Sequence, residues 1–202
     1  IGNRAYARDP RIVASIGRAA SLGLMAGGVL PVVKHMPGHG RGMADSHHHL
    51  PRVDACRAEL EAHDFAPFRR MADMPLAMTA HIVFSAIDPD APATQSKRVV
   101  SEIIRGHIGF DGLVMSDDLS MKALGGDFAS RTAKILDAGC DMVLHCNGVM
   151  EEMTASAVGA RPMTPAAMRR AKAALKLVAG PPGAFDRGQA EERLATLLAL
   201  VA

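Results

Sequence analysis

Leu30-Pro31-Val32-Val33-Lys34-His35-Met36-Pro37-Gly38-His39-Gly40 is an apolar run that ends on a lysine and two histidines, with Asp45-Ser46-His47 close behind. A short β-rich apolar run reads as a buried strand. Polar and ionisable groups massed at its carboxyl end are what a parallel barrel strand delivers to a functional face. The reading places this strand at residues 29–33 and lets it stop at Lys34.

Working outward, the same alternation recurs. Upstream, Asp9-Pro10 supplies an N-cap and a first-turn proline, and Ile12, Ile16, Ala19, Ala20 and Leu24 mark one apolar helical face that closes at Gly27-Gly28. Downstream, residues 53–71 read as a helical region interrupted near Pro67, and residues 76–82 as a strand with His81 near its end. A helix over 96–105, with Val99, Val100, Ile103 and Ile104 inward and Gly106 as its stop, leads to a strand over 112–116 that ends at Asp117-Asp118. A helix over 128–138 stopped by Gly139, a strand over 142–146, a helix from Thr164-Pro165 to about 178, a break at Gly180-Pro181-Pro182-Gly183 and a last helix over 189–201 complete the chain.

Strands separated by helices imply parallel pairing with right-handed crossovers. No Gly-x-Gly-x-x-Gly turn follows any strand, and every strand ends in polar residues, so a (β/α)8 TIM-type barrel is preferred to a dinucleotide-binding open sheet. A complete barrel takes roughly 250 residues. The four βα units visible in 202 residues therefore predict a partial barrel: residues 1–202 as a single catalytic domain, the C-terminal part of the barrel, with terminal helices from about 164. The start at Ile1-Gly2-Asn3-Arg4 lacks an initiator Met and opens in what reads as a loop, so the expectation is a clipped start, with the early strands absent and a leader or further domain lost.

Composition narrows the function. A net charge of +2 and 3% aromatic residues give no footprint for nucleic acid, and no apolar run approaches the ~20 residues of a membrane span. Cys56, Cys140 and Cys146 are odd in number with no Cys-x-x-Cys pair, which points to a reducing compartment and away from a disulfide framework.

The residues themselves leave several chemistries open. Asp45 and His47 lie two apart in a glycine-rich loop, where a carboxylate orients an imidazole and favours its protonated form; such a dyad serves as general acid and base. Asp117, from another strand end, could face it as nucleophile or base. Alternatively, Asp, Ser and His in such loops serve as turn residues and caps, and Asp117-Asp118 could simply start a helix. His35, His39, Asp45, His47, His48 and His49 are also suitable metal ligands, although their spacing matches no metalloprotease helix motif; a metal-dependent hydrolase built on the 35–49 histidine cluster is the competing enzyme reading. Lys34 reads as a pocket residue. His81 and His145 are each open to a structural or a substrate-contact role, and Met36 and Met115 to lining the pocket.

Three ordered segments carry a family resemblance. Lys34-His35-Met36-Pro37-Gly38-His39-Gly40 with Asp45-Ser46-His47, Ser116-Asp117-Asp118-Leu119-Ser120-Met121, and Ile1-Gly2-Asn3-Arg4-Ala5-Tyr6 together resemble the bacterial β-N-acetylhexosaminidases of glycoside hydrolase family 3, peptidoglycan-recycling type. Met78-Thr79-Ala80-His81 and Ala138-Gly139-Cys140-Asp141-Met142-Val143 add to it, so the likeness spans most of residues 1–150. The resemblance implies a retaining exo-β-N-acetylglucosaminidase with Asp117 as nucleophile and His47, paired with Asp45, as acid/base. Most retaining glycosidases use two carboxyl groups, and the histidine is a departure for which this subfamily is known. Arg4, Lys34 and His35 would bind the sugar hydroxyls.

By the same resemblance the substrates would be N-acetylglucosaminyl-anhydro-muropeptides, handled in the cytoplasm by a monomer with no metal and no organic cofactor. Family members carry an upstream half-barrel with a substrate-binding Asp and another Arg, which nothing in this chain matches. Without it half the pocket wall would be missing, and a non-catalytic carbohydrate-binding remnant would be the reading.

Overall fold

The structure is a computed structural model that describes residues 4–43, 49–178, 180 and 183–200. Its centre is a four-stranded sheet of β1 (Val32–Met36), β3 (Leu76–Thr79), β5 (Leu113–Asp118) and β6 (Met142–Leu144), in the order β1-β3-β5-β6 and parallel throughout. A two-stranded parallel ribbon, β2 (Arg52–Val53) with β4 (Val83–Phe84), sits beside it.

The register divides the sheet into two unlike faces. Val33, Ala77 and Val114 align across three strands and are buried in one core with Leu60, Phe65, Ile103, Ile104 and Ile135 from the intervening helices. Side chains alternate along a strand. The other face therefore carries Val32 and, in register, Met78, Met115 and Met142; Val32 is 37% and Met142 43% exposed. Helices covering one face only are the arrangement of a barrel wall rather than of a doubly wound sheet, so the chain is a four-strand sector of a (β/α)8 barrel.

Local chemistry explains most of the helices. In α1 (Pro10–Ala26) the Asp9 carboxylate accepts the Arg11 N–H at 2.8 Å, and Pro10 starts the first turn. The short α2 (Arg57–Glu59) passes into a π-helical turn, Leu60–Asp64, and α3 (Ala66–Arg69) follows with Pro67 in its first turn. The segment Val99–His107 is a π-helix that buries Val99, Val100, Ile103 and Ile104. Asp127 caps α4 (Phe128–Ala138), which ends on Gly139 at φ 106°, a left-handed cap open to glycine. Then come α5 (Met150–Val158), α6 (Pro165–Lys176) capped by Thr164, and α7 (Arg187–Ala199) capped by Asp186.

The structure corrects the sequence reading in several places. β1 runs three residues later than expected: the Val29 N–H is held by the Leu24 carbonyl at the end of α1, and Pro31 has no N–H to give. Lys34 and His35 thus lie inside the strand instead of beyond it. The expected strand over 76–82 ends at Thr79, and Val53, the expected start of the 53–71 helical region, is strand with Arg52 because Val83 N–H donates to Pro51 O and Ser85 N–H to Val53 O. Gly106 sits within the Val99–His107 helix instead of closing it.

α1 also buries a different face from the expected one. Ala14, Gly17 and Ser21 pack inward, while Ile12, Ile16 and Leu24 are 49%, 41% and 47% exposed. The small stripe allows close approach: a Cβ on Gly17 would lie 3.1 Å from Met71 Sδ. α5 has no local start signal in the sequence, since Val149 offers no capping side chain. Among the described residues no helix is long and apolar enough to cross a membrane.

Ion pairs close the amino end of the sheet. Asp141, ahead of β6, accepts Arg105 Nη2 at 2.7 Å and Val114 N at 2.9 Å on one oxygen and Arg170 Nη1 at 2.9 Å on the other. Arg169 and Arg170 of α6 also reach Asp111.

Candidate active site

The carboxyl ends of β1, β3, β5 and β6 bring together His35, His81, Asp117, Asp118 and His145. Asp117 lies within β5, one residue before its end, with 13% of its side chain exposed. Its Oδ1 accepts the Asp118 N–H at 2.9 Å, and its Oδ2 faces His35 Nε2 at 3.7 Å. That separation is too long for a hydrogen bond. Nor is the contact ionic at neutral pH: burial drives the His35 pKa down to about 4, with Asp117 opposing and Lys34, His39 and Arg4 adding to the depression. A neutral imidazole thus stands beside a carboxylate.

The adjacent Asp118 is occupied differently. Its Oδ1 accepts the backbone N–H groups of Ser120 at 3.1 Å and Cys146 at 3.0 Å, and its Oδ2 accepts the Ser120 hydroxyl. Burial raises its pKa, but these donors together outweigh burial and hold it below the ordinary carboxylate range. One carboxylate is consumed as a structural tie and its neighbour is left facing the imidazole. Strand alternation explains the split, because successive side chains leave β5 in opposite directions.

A cleft of about 820 Å3 runs between β1 and α1, lined among others by Arg4, Lys34, His35, His39, Arg41 and Tyr6. It shares His35 with the Asp117 cluster, but Asp117 itself is not in its wall. Arg4 and Lys34 are exposed and His39 is buried edge-on to His35, with ring centroids 5.8 Å apart. Burial also lowers the His39 pKa. Arg41 pairs with Asp64 at 2.7 Å and Glu59 at 2.9 Å, anchoring the chain just before residues 44–48.

Of the residues expected at the site, Asp117 and His35 meet directly, and Arg4 and Lys34 share a cleft with His35. Asp45 and His47 lie outside the described residues, as does His48; His49 is exposed. Met36 does not line the pocket, being fully buried in the core, whereas Met115 stands on the open sheet face. His81 is fully buried, which removes the substrate-contact option. His145 Nε2 lies 2.8 Å from Glu152, which anchors the β6–α5 connection. The sequence marks Asp118 only as the neighbour of Asp117. Its role rests on donors from Cys146, which no local pattern signals.

Side chains gathered at the carboxyl edge of a helix-backed parallel sheet are the layout of a barrel enzyme. The comparisons agree and are more specific. The chain matches the glycosyl hydrolase family 3 N-terminal domain over residues 1–175. It is 40% identical over 197 residues to a beta-hexosaminidase of Bordetella avium, covering 96% of this chain and 55% of that protein. It is 46% identical over 151 residues to a beta-hexosaminidase of Chromobacterium violaceum, 73% of this chain and 42% of that one.

Among solved structures, NagZ of Neisseria gonorrhoeae in complex with N-trifluoroacetyl-D-glucosamine gives a TM-score of 0.76 at 37% identity, over 86% of this chain and 50% of that one. A family 3 beta-N-acetylglucosaminidase of Paenibacillus sp. gives 0.79 at 32%, over 92% and 38%. The chain belongs to glycoside hydrolase family 3. It spans about half the length of the curated relatives it matches.

Proposed function

We propose that this chain supplies the nucleophile-bearing part of a retaining exo-β-N-acetylglucosaminidase. The observation that carries the reading is the Asp117 carboxylate, aimed at a neutral His35 while the adjacent Asp118 is tied down by Ser120 and Cys146. The beta-hexosaminidase relatives support it.

In the first step an Asp117 oxygen forms a bond to the anomeric carbon as the bond to the leaving oxygen breaks, and that oxygen takes a proton from His47. In the second, water attacks the same carbon, gives its proton to His47, and the ester bond to Asp117 breaks, restoring the carboxylate. Two inversions give retention. Asp45 orients the His47 ring. Losing charge as it donates, an imidazolium avoids placing a second anion beside Asp117. Arg4, Lys34 and His35 hold the sugar hydroxyls, and the low proton affinity of His35 keeps it a neutral donor and acceptor. We assign the substrates to terminal β-N-acetylglucosaminides of peptidoglycan fragments, processed in the cytoplasm by a monomer without cofactor.

The test uses the natural full-length protein and an aryl β-N-acetylglucosaminide. Asp117→Asn should lower phenol release by about a thousandfold or more, removing covalent catalysis, whereas an unchanged rate would end the assignment. Chelation should leave the rate intact; metal-dependent turnover would favour the histidine-cluster reading instead. Among the described residues no group of three possible ligands comes together.

A further inference from the structure

Thr79-Ala80-His81 forms a bridge between the two strands that carry His35 and Asp117. The Ala80 N–H donates to the Met36 carbonyl at 2.7 Å, one residue beyond His35. His81 Nε2 lies 3.0 Å from the Asp118 carbonyl oxygen, one residue beyond Asp117. A carbonyl only accepts, so Nε2 carries the hydrogen and the ring is in that tautomer. Its Nδ1 is buried without a partner among the described residues, which leaves the Asp118 contact as the ring's polar anchor. The root of the bridge is fixed by the paired hydroxyls of Thr79 and Thr94, both fully buried.

β5 needs such a tether at this point. Its pairing with β3 extends only to Met78↔Met115, so among the described residues the backbone at 117–118 has no ladder partner on the β3 side. On the β6 side it is held by Asp118↔Leu144 and by Leu119 N–H to Leu144 O at 2.8 Å. We infer that His81 is a positioning residue for the nucleophile: its Nε2–H, bonded to the Asp118 carbonyl, replaces the missing ladder bond and fixes the direction in which the Asp117 carboxylate leaves β5 toward His35. The inference deepens the glycosidase reading and rests on it. The ring touches no substrate. Its effect is on the approach of the Asp117 oxygen to the anomeric carbon, where a displacement of about 1 Å costs on the order of a hundredfold.

Two amide substitutions separate this role from mere core filling. In His81→Gln the side-chain nitrogen reaches the place of Nε2 and can still donate to Asp118; in His81→Asn it reaches only the place of Nδ1. With the full-length protein and an aryl β-N-acetylglucosaminide, His81→Gln should stay within about fivefold of wild-type kcat, while His81→Asn should lose about a hundredfold with KM changed less than about threefold. The rate at which a 2-acetamido 5-fluoroglycosyl fluoride labels Asp117 should fall in parallel.

Equal losses in the two variants, or a loss confined to KM, would overturn the inference. Should His81→Asn fail to fold, His81→Leu, which fills the volume without a donor, carries the same expectations. Asp117→Asn runs alongside as the control. If it turns over at the wild-type rate, the glycosidase reading fails and takes this inference with it, whereas a dead control with a fully active donor-free variant refutes His81 alone.

Discussion

Replacing Asp141 by Asn tests how firmly the amino end of the sheet is held. Three donors converge on this carboxylate: Arg105, Arg170 and the Val114 N–H. Asp141 is 8% exposed, and the Arg105 side chain is 18% exposed. Arg170 keeps Asp111 as a partner when Asp141 is neutralised, but Arg105 retains only the carbonyls of Phe110 and Gly112. A partly buried guanidinium without a counter-charge costs about 3–5 kcal/mol, and the amide also turns its NH2 toward one of the former donors. Chemical denaturation of the full-length protein should show a loss in that range. The double variant Arg105→Met/Asp141→Asn, with no stranded charge, should be less destabilised than the sum of the singles by about 1–3 kcal/mol. A loss below about 1 kcal/mol for Asp141→Asn, or strict additivity, would refute the claim that Arg105 depends on this carboxylate.

The buried histidines predict acid lability. His35 has a pKa near 4 in the folded chain against 6.5 for the free side chain, so as pH falls below 6.5 the unfolded state takes up a proton that the native state refuses. Stability should drop by about 3 kcal/mol from this residue alone between pH 6.5 and 4, and His35→Gln should flatten that part of a denaturation-versus-pH curve; an unchanged slope contradicts the burial argument. Gly112→Ala should destabilise by about 1–3 kcal/mol or more, because the added Cβ would meet Met74 O, Pro75 O and Phe110 Cζ, each at 2.6 Å, and two of these are backbone atoms. A melting temperature equal to wild type would show that this turn has room to spare.

Much of the architecture was legible because its signals are local. Asp9-Pro10, Thr164-Pro165 and Gly139 announce helix ends by capping chemistry that needs no tertiary context. The four strands of the main sheet are legible as apolar runs, but the β2–β4 ribbon is not, nor are the strand limits: where β1 begins depends on which acceptor claims the Val29 N–H. Hydrophobic periodicity misplaces the buried face of α1: it favours Ile12, Ile16 and Leu24, whereas close packing, as of Gly17 on Met71, rewards the small residues Ala14, Gly17 and Ser21. At the site, Asp117 and His35 stood out by residue type. That Asp118 would be a tie, and His81 its anchor from below, depends on donors and acceptors tens of residues away.

The opposite fates of Asp117 and Asp118 make the phase of β5 itself a chemical variable. These neighbours are the same amino acid, so what distinguishes them is which side of the pleat each occupies. A slip of one position along β3 would exchange them, tying down Asp117 and aiming Asp118 at His35. The defence against that slip lies at the far end of the strand, where the Gly112 turn admits no larger residue and Asp141 grips the Val114 amide. Residues remote from the sugar thereby decide which of two identical acids stands in the place of attack.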